Sequence, residues 1–220
     1  MFRGTFTALV TPFRDGAIDS TAFEKLIEAQ IAAGITGLVA VGTTGESPTL
    51  SHDEREGVIR QCVKVARGRC AVLAGTGSYS TRDAVDATKQ AEALGVNGAL
   101  VVAPYYNKPS QEGLLQHFKA IATATSLPIV LYNIPGRCGV DIGAETVVRL
   151  AQACPNIVSI KEASGSVDRV SELRGLLPES FTILSGDDSL TLPFMSVGAA
   201  GVVSVASNLL PADVRALVVA

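Results

Sequence analysis

Short apolar runs rich in strand-forming residues alternate with longer amphipathic segments along the whole chain, and this alternation constrains the fold more than any other feature. Eight runs fit buried strands: FTALVTPF (6–13), GLVAVG (37–42), CAVLAGT (70–76), GALVVAP (98–104), PIVLYNIP (128–135), IVSIKEA (157–163), FTILSGD (181–187) and GVVSVAS (201–207). Their starts recur roughly every 25 to 30 residues, the spacing of β/α units in which a helix returns the chain to begin the next parallel strand. Helix signals fill the gaps. Ser20 is placed to cap a helix whose Phe23, Leu26, Ile27 and Ile31 share one face, with Gly34 to end it. Ser51, Ser80 and Ser110 precede the next three helical patterns, and Gly95 closes the third. Glu112, just after Ser110, suits the positive end of a helix dipole.

Strict alternation implies a parallel sheet with right-handed crossovers, either closed or open and doubly wound. Eight units favour closure. An open dinucleotide-binding sheet calls for GxGxxG after its first strand, where this chain has TPFRDG. The expected fold class is therefore α/β, a (β/α)8 TIM barrel, with residues 1–220 as a single domain. At 220 residues and 47% hydrophobic composition the chain can bury one large core, and no linker or low-complexity tract divides it.

Charge and cysteine usage exclude several function classes. A net charge of -3, from 18 Lys+Arg against 21 Asp+Glu, provides no basic footprint for nucleic acid or an anionic membrane. Cys62, Cys70, Cys138 and Cys154 form no CxxC pair, and with only His52 and His117 no zinc-ligand spacing arises. They are expected to be reduced thiols, mostly in the core. The start MFRGTFTALV lacks the pattern of a secretory signal, and no apolar run has the length of a membrane span, so the expected location is the cytoplasm and the expected partners are small polar metabolites.

In a barrel, the carboxyl ends of the strands and the loops after them form the active face. The motifs cluster there: Gly42-Thr43-Thr44-Gly45-Glu46 after the second run, Tyr105-Tyr106-Asn107 after the fourth, Tyr132 to Arg137 on and after the fifth, Lys161 on the sixth, and Ser185-Gly186-Asp187-Asp188 ending the seventh. Strand parity puts Ile157, Ser159, Lys161 and Ala163 on one face and Val158, Ile160 and Glu162 on the other. The more polar set suits the lumen, with Val158 and Ile160 under the helices and Glu162 unable to neutralise Lys161. A lysine so desolvated loses pKa, which frees its amine to attack a carbonyl and form a Schiff base. The alternative is a lysine that reaches the rim and makes an ordinary ion pair.

Schiff-base chemistry needs a proton carrier, and the hydroxyls of Thr43, Tyr106 and Tyr132 lie on nearby segments; a core aromatic is the plainer role for Tyr132 taken alone. Gly42-Thr43-Thr44-Gly45 resembles an anion cradle of backbone N–H groups and hydroxyls. No Gly-Lys-Ser/Thr follows, so a carboxylate suits it better than a triphosphate; a tight βα turn is its other reading. Arg137, after Ile134-Pro135-Gly136, is either a solvated arginine or a clamp for a second carboxylate. Asp187 and Asp188 read as helix caps rather than a metal pair.

Together GTTGES, PYYNKPSQEGL, YNIPGR, IKEASG and LSGDD closely resemble the dihydrodipicolinate synthase family of class I aldolase-like enzymes, over nearly the whole chain to about Leu210. The resemblance implies a barrel enzyme that condenses pyruvate with L-aspartate 4-semialdehyde to 4-hydroxy-tetrahydrodipicolinate, without metal or organic cofactor, as a homotetramer built from tight dimers. It makes Lys161 the Schiff-base lysine and Thr43, Tyr132 and Tyr106 the proton relay, with Tyr106 reaching into a neighbouring subunit. Thr44 would hold the pyruvate carboxylate and Arg137 that of the semialdehyde, while the backbones of Gly186 and Val203 would line the pocket. It implies further helices after Ala220, so that the chain ends within the eighth helix and leaves apolar surface uncovered. It also places a regulatory dimer-interface pocket at Ser47, His52, Arg55, Tyr79, Asp83 and Tyr105. His52 and Tyr105 fit the lysine-sensitive pattern, whereas Arg55, Tyr79 and Asp83 depart from the usual histidine, asparagine and glutamate and count against inhibition by lysine. Two rivals share the motifs: a sister pyruvate-dependent aldolase acting on a sugar acid, against which Arg137 and Thr44 argue, and a non-catalytic barrel that binds pyruvate-like ligands.

Overall fold

Each of the eight apolar runs forms a strand in the computed structural model, which describes residues 2–220. The strands are β1 (Gly4–Ala8), β2 (Gly37–Ala40), β3 (Ala71–Gly75), β4 (Gly98–Val102), β5 (Ile129–Asn133), β6 (Ile157–Glu162), β7 (Thr182–Ser185) and β8 (Gly201–Ser204). All pair in parallel in sequence order, and β8 returns to β1, closing a barrel. Closure brings Gly4 opposite Gly201, where a side chain on Gly201 would overlap the Gly4 backbone.

The helices that follow the strands are α1 (Ser20–Ala32), α2 (His52–Ala66), α3 (Thr81–Ala93), α4 (Gln111–Thr123), α5 (Ala144–Ala153), α6 (Val167–Leu176), α7 (Thr191–Ser196) and α8 (Pro211–Val219). Ser51, Ser80 and Ser110 cap α2, α3 and α4 as expected, and Ser51 with Glu54 completes a reciprocal capping box. At α1 the cap is Asp19, whose Oδ1 accepts from Ala22 N at 2.9 Å, and Ser20 is the first helical residue. The expected run 6–13 also divides. β1 stops at Ala8, where the Val10 amide turns from the ladder to Asn208 Oδ1, and Phe13–Arg14 pairs instead with Ala17–Ile18 in a small antiparallel hairpin.

Alternation along the strands sorts the core into two layers. Phe6, Ala8, Val39, Leu73, Leu100, Val130, Leu184 and Val203 fill the barrel interior. A larger layer that includes Phe23, Ile27, Leu38, Leu131, Ile160 and Phe194 packs between sheet and helices. The parity expected for β6 holds from Ser159 onward and fails before it. Ile157 joins Ile160 in the outer layer, because the register against β5 slips between Ile129 and Val130 and leaves Val158 as a half-buried bulge. The bulge re-phases the strand three residues before Lys161. Leu209, Leu210, Leu217 and Val219, on and before α8, are exposed apolar side chains. Among the described residues no helix is long and apolar enough to cross a membrane.

Candidate active site

β5 and β6 end side by side, with Tyr132 in register with Lys161 and Asn133 with Glu162. The first pair points into the lumen and the second to the helices, because side chains alternate across the sheet. Lys161 is therefore buried, 5% exposed, with its Nζ 4.1 Å from the centroid of the Tyr132 ring. No carboxylate lies within ion-pair distance of Lys161 among the described residues; Glu162, its chain neighbour, pairs with Arg169 at 2.8 Å on the other side of the strand.

Burial lowers the Lys161 pKa from the ordinary 10.5 to about 8; Asp187 and Asp188 push the other way, and Arg137 adds to the lowering. The shift corresponds to about 3 kcal/mol against the charged form. At pH 7 roughly a tenth of the amine is then neutral, against roughly three parts in ten thousand for an unperturbed lysine. Burial likewise pushes the Tyr132 phenol up to about 12, with the Thr43 hydroxyl beside it acting the other way, so Tyr132 stays protonated and can donate.

Gly186 makes room for this lysine. A Cβ there would lie 3.1 Å from Lys161 Cε and 2.6 Å from Ala163 Cβ, so β7 can end against the amine only because residue 186 has no side chain. Val203 packs in the lumen layer below. The helix-capping role expected of Asp187 and Asp188 is not met on their own segment, where Asp187 makes no side-chain cap; Asp188 Oδ2 instead accepts from Val205 N and Ala206 N, both at 3.0 Å, at the turn after β8. No cluster of three or more His, Cys, Asp or Glu residues suits a metal among the described residues.

The loop after β2 is tighter than a glycine cradle. Gly45 N and Ser47 N donate to Gly42 O, and Glu46 N donates to Thr43 O, so those amides are spent within the turn. The Thr43 and Thr44 amides donate to no acceptor among the described residues, which confines the anion-binding capacity to the two threonines. Thr43 and Tyr132 also line a cavity of about 400 Å³. All six positions assigned to the regulatory pocket, Ser47, His52, Arg55, Tyr79, Asp83 and Tyr105, gather on the same cavity.

Two expected site residues stand apart. Arg137 is exposed on the one-turn helix Pro135–Cys138, close enough to bias both Tyr132 and Lys161 electrostatically. Tyr106 is 90% exposed with φ +72°, so within a single chain its ring does not contribute to the lumen. Neighbouring Tyr105 stacks edge-on against Tyr79, ring centroids 5.4 Å apart.

Sequence reasoning missed the polar cluster behind the site. Asn133 and Glu162, both fully buried, meet Asp141 and Arg169 there. The available signal was a glutamate on the outward face of a buried strand, which demands a cation; its partner follows at Arg169 in the same segment.

Comparison with known proteins places this geometry in context. The chain matches the profile of the Dihydrodipicolinate synthetase family over residues 1–220. It is 57% identical over 216 residues to 4-hydroxy-tetrahydrodipicolinate synthase of Sorangium cellulosum, covering 97% of this chain and 72% of the relative. Among solved structures, the 4-hydroxy-tetrahydrodipicolinate synthase of Methylacidiphilum fumariolicum SolV superposes with a TM-score of 0.98 at 60% identity, covering 99% of this chain and 73% of that one. The dihydrodipicolinate synthase of Acinetobacter baumannii, complexed with pyruvate, gives 0.97 at 47% identity, over 100% and 75%.

Proposed function

Because the chain belongs to the dihydrodipicolinate synthetase family, we propose how its residues divide the work of condensing pyruvate with L-aspartate 4-semialdehyde to 4-hydroxy-tetrahydrodipicolinate, the reaction of its relatives. Neutral Lys161 Nζ attacks C2 of pyruvate; loss of water leaves an iminium, and loss of a methyl proton gives an enamine. The enamine carbon bonds to the aldehyde carbon of the second substrate. That substrate's own amine then displaces Lys161 and closes the ring.

Tyr132 and Thr43 carry protons in these steps, and the Thr44 amide and hydroxyl hold the pyruvate carboxylate. Arg137 clamps the carboxylate of the semialdehyde, and the backbones at Gly186 and Val203 line the pocket. The single observation that carries this reading is the buried, unpaired Lys161 with its pKa lowered to about 8 against the Tyr132 ring. Borohydride reduction in the presence of pyruvate followed by peptide mapping tests it. An adduct on the peptide of Lys161 is expected, and label on any other lysine, or none, contradicts it.

The same reading makes Tyr106 a relay group for a neighbouring copy, in a homotetramer of tight dimers. Its exposure beside the Tyr79–Tyr105 edge supports this. Mixing Tyr106→Phe and Lys161→Ala subunits should restore part of the activity that each lacks alone; no recovery after confirmed subunit exchange would refute the crossover. Residues 1–220 act as one domain in this reading, and the cytoplasm is its location. Departures at Arg55, Tyr79 and Asp83 go with weak or absent inhibition by lysine, which a titration of the assay with lysine checks.

A further inference from the structure

The segment that carries Arg137 leaves β5 at Asn133 and runs to Ile142, just before α5, and one side chain holds both ends. Asn133 Nδ2 donates to Asp141 Oδ1 at 2.7 Å, and Asn133 Oδ1 accepts from Ile142 N at 3.0 Å. The same Nδ2 reaches the Glu162 carboxylate at 3.0 and 3.1 Å. Glu162 also accepts from Ser164 N at 2.8 Å and Arg169 Nε at 2.8 Å. Arg169 completes the circuit, with Nη1 3.5 Å from Asp141 Oδ2 and Nη2 bonded to the Ile142 carbonyl. Four side chains from β5, the loop before α5, β6 and α6 thus close one network.

Arg137 has no comparable support of its own. Its guanidinium donates to no protein acceptor among the described residues, and its position comes from the turn in which Arg137 N and Cys138 N donate to Ile134 O. The Asn133 network fixes that turn relative to Lys161, because Glu162 is the next residue along β6 and Asn133 lies opposite it in register. A buried ion pair with its surrounding hydrogen bonds contributes little net stability compared with apolar packing, so its best-supported physical use is to impose one arrangement. Positioning demands are steep, since a misplacement of roughly 1 Å can cost about a hundredfold.

Resting on the clamp role given to Arg137 above, we propose that Asn133, Asp141, Glu162 and Arg169 form a positioning cluster that holds Arg137 at the mouth of the lumen and sets affinity for the second, carboxylate-bearing substrate. Pyruvate capture depends on it far less, through the minor electrostatic influence of Arg137 on Lys161 alone, because Lys161 and Tyr132 lie buried on the opposite, lumen face of their strands.

Steady-state kinetics on the full chain test the proposal with Asp141→Ala, Asp141→Asn and Glu162→Gln, using Arg137→Ala as the reference. Asp141 is exposed, so its variants keep the fold, as melting curves verify, even where Glu162→Gln does not. Asp141→Ala should raise KM for the semialdehyde by about tenfold or more, leave the rate of borohydride-trapped imine from pyruvate unchanged, and be largely rescued by Asp141→Asn. A parallel fall in imine formation, or no change in that KM while Arg137→Ala raises it, overturns the positioning role. No rise in Arg137→Ala itself overturns the clamp assignment from which the proposal starts.

Discussion

Lys161 and Glu162 are consecutive residues of one strand, both buried, and the protein treats their charges in opposite ways. Glu162 faces the helices, is fully enclosed, and is met by Asn133, the Ser164 amide and Arg169. Lys161 faces the lumen with an aromatic ring above it and no carboxylate in ion-pair contact among the described residues. A buried charge given a partner fixes structure, whereas a buried amine denied one is neutral far more often than a solvated lysine and becomes reactive. The alternation of side chains across a pleat is what lets the two outcomes sit next to each other.

The contrast can be broken most completely at Lys161→Ala. Turnover and imine trapping should vanish, while the melting temperature holds or rises, because the substitution removes a poorly solvated amine whose burial cost outweighs its one contact with the Tyr132 ring; mass spectrometry and circular dichroism report both. Tyr132→Phe should cost about 10² to 10⁴ in kcat, the usual range for a lost proton carrier, with pyruvate still able to form the imine more slowly. Arg169→Met addresses the other face. It strands Glu162 without its cation and should cost about 3 to 5 kcal/mol in denaturant unfolding, a loss that Lys161→Ala must not show if the two faces differ as described. Gly186→Ala sharpens the lumen side, since a methyl 3.1 Å from Lys161 Cε and 2.6 Å from Ala163 Cβ should cost about 1 to 3 kcal/mol by overpacking and slow imine formation.

The barrel was legible because each strand is an apolar run between helix signals, a local pattern that needs no knowledge of partners. Lys161 could be read for the same reason: Ser159, Lys161 and Glu162 reveal their faces by parity alone. What escaped depends on contacts between distant segments. The bulge at Val158 is a property of how β6 pairs with β5, and nothing in IVSIKE marks it. Asn133 and Glu162 are 29 residues apart and meet only once that register is set. The glycines of the loop after β2 fit both an anion cradle and a tight turn, and only the folded loop separates the two: the turn consumes the amides of Gly45, Glu46 and Ser47 and leaves the two threonines. Asp19 displaced Ser20 as the cap of α1 by a margin of one residue, which propensity does not resolve since both types cap well.

The central claim is that the amine on β6 is neutral often enough near physiological pH to capture a keto acid. Its most direct test is the pH dependence of the rate at which Lys161 is trapped by pyruvate and borohydride. The account predicts a rate that climbs about tenfold per pH unit at low pH and levels off above an inflection near 8, the value to which burial lowers this lysine. A rate still rising through pH 10, as for a solvated lysine, would contradict it.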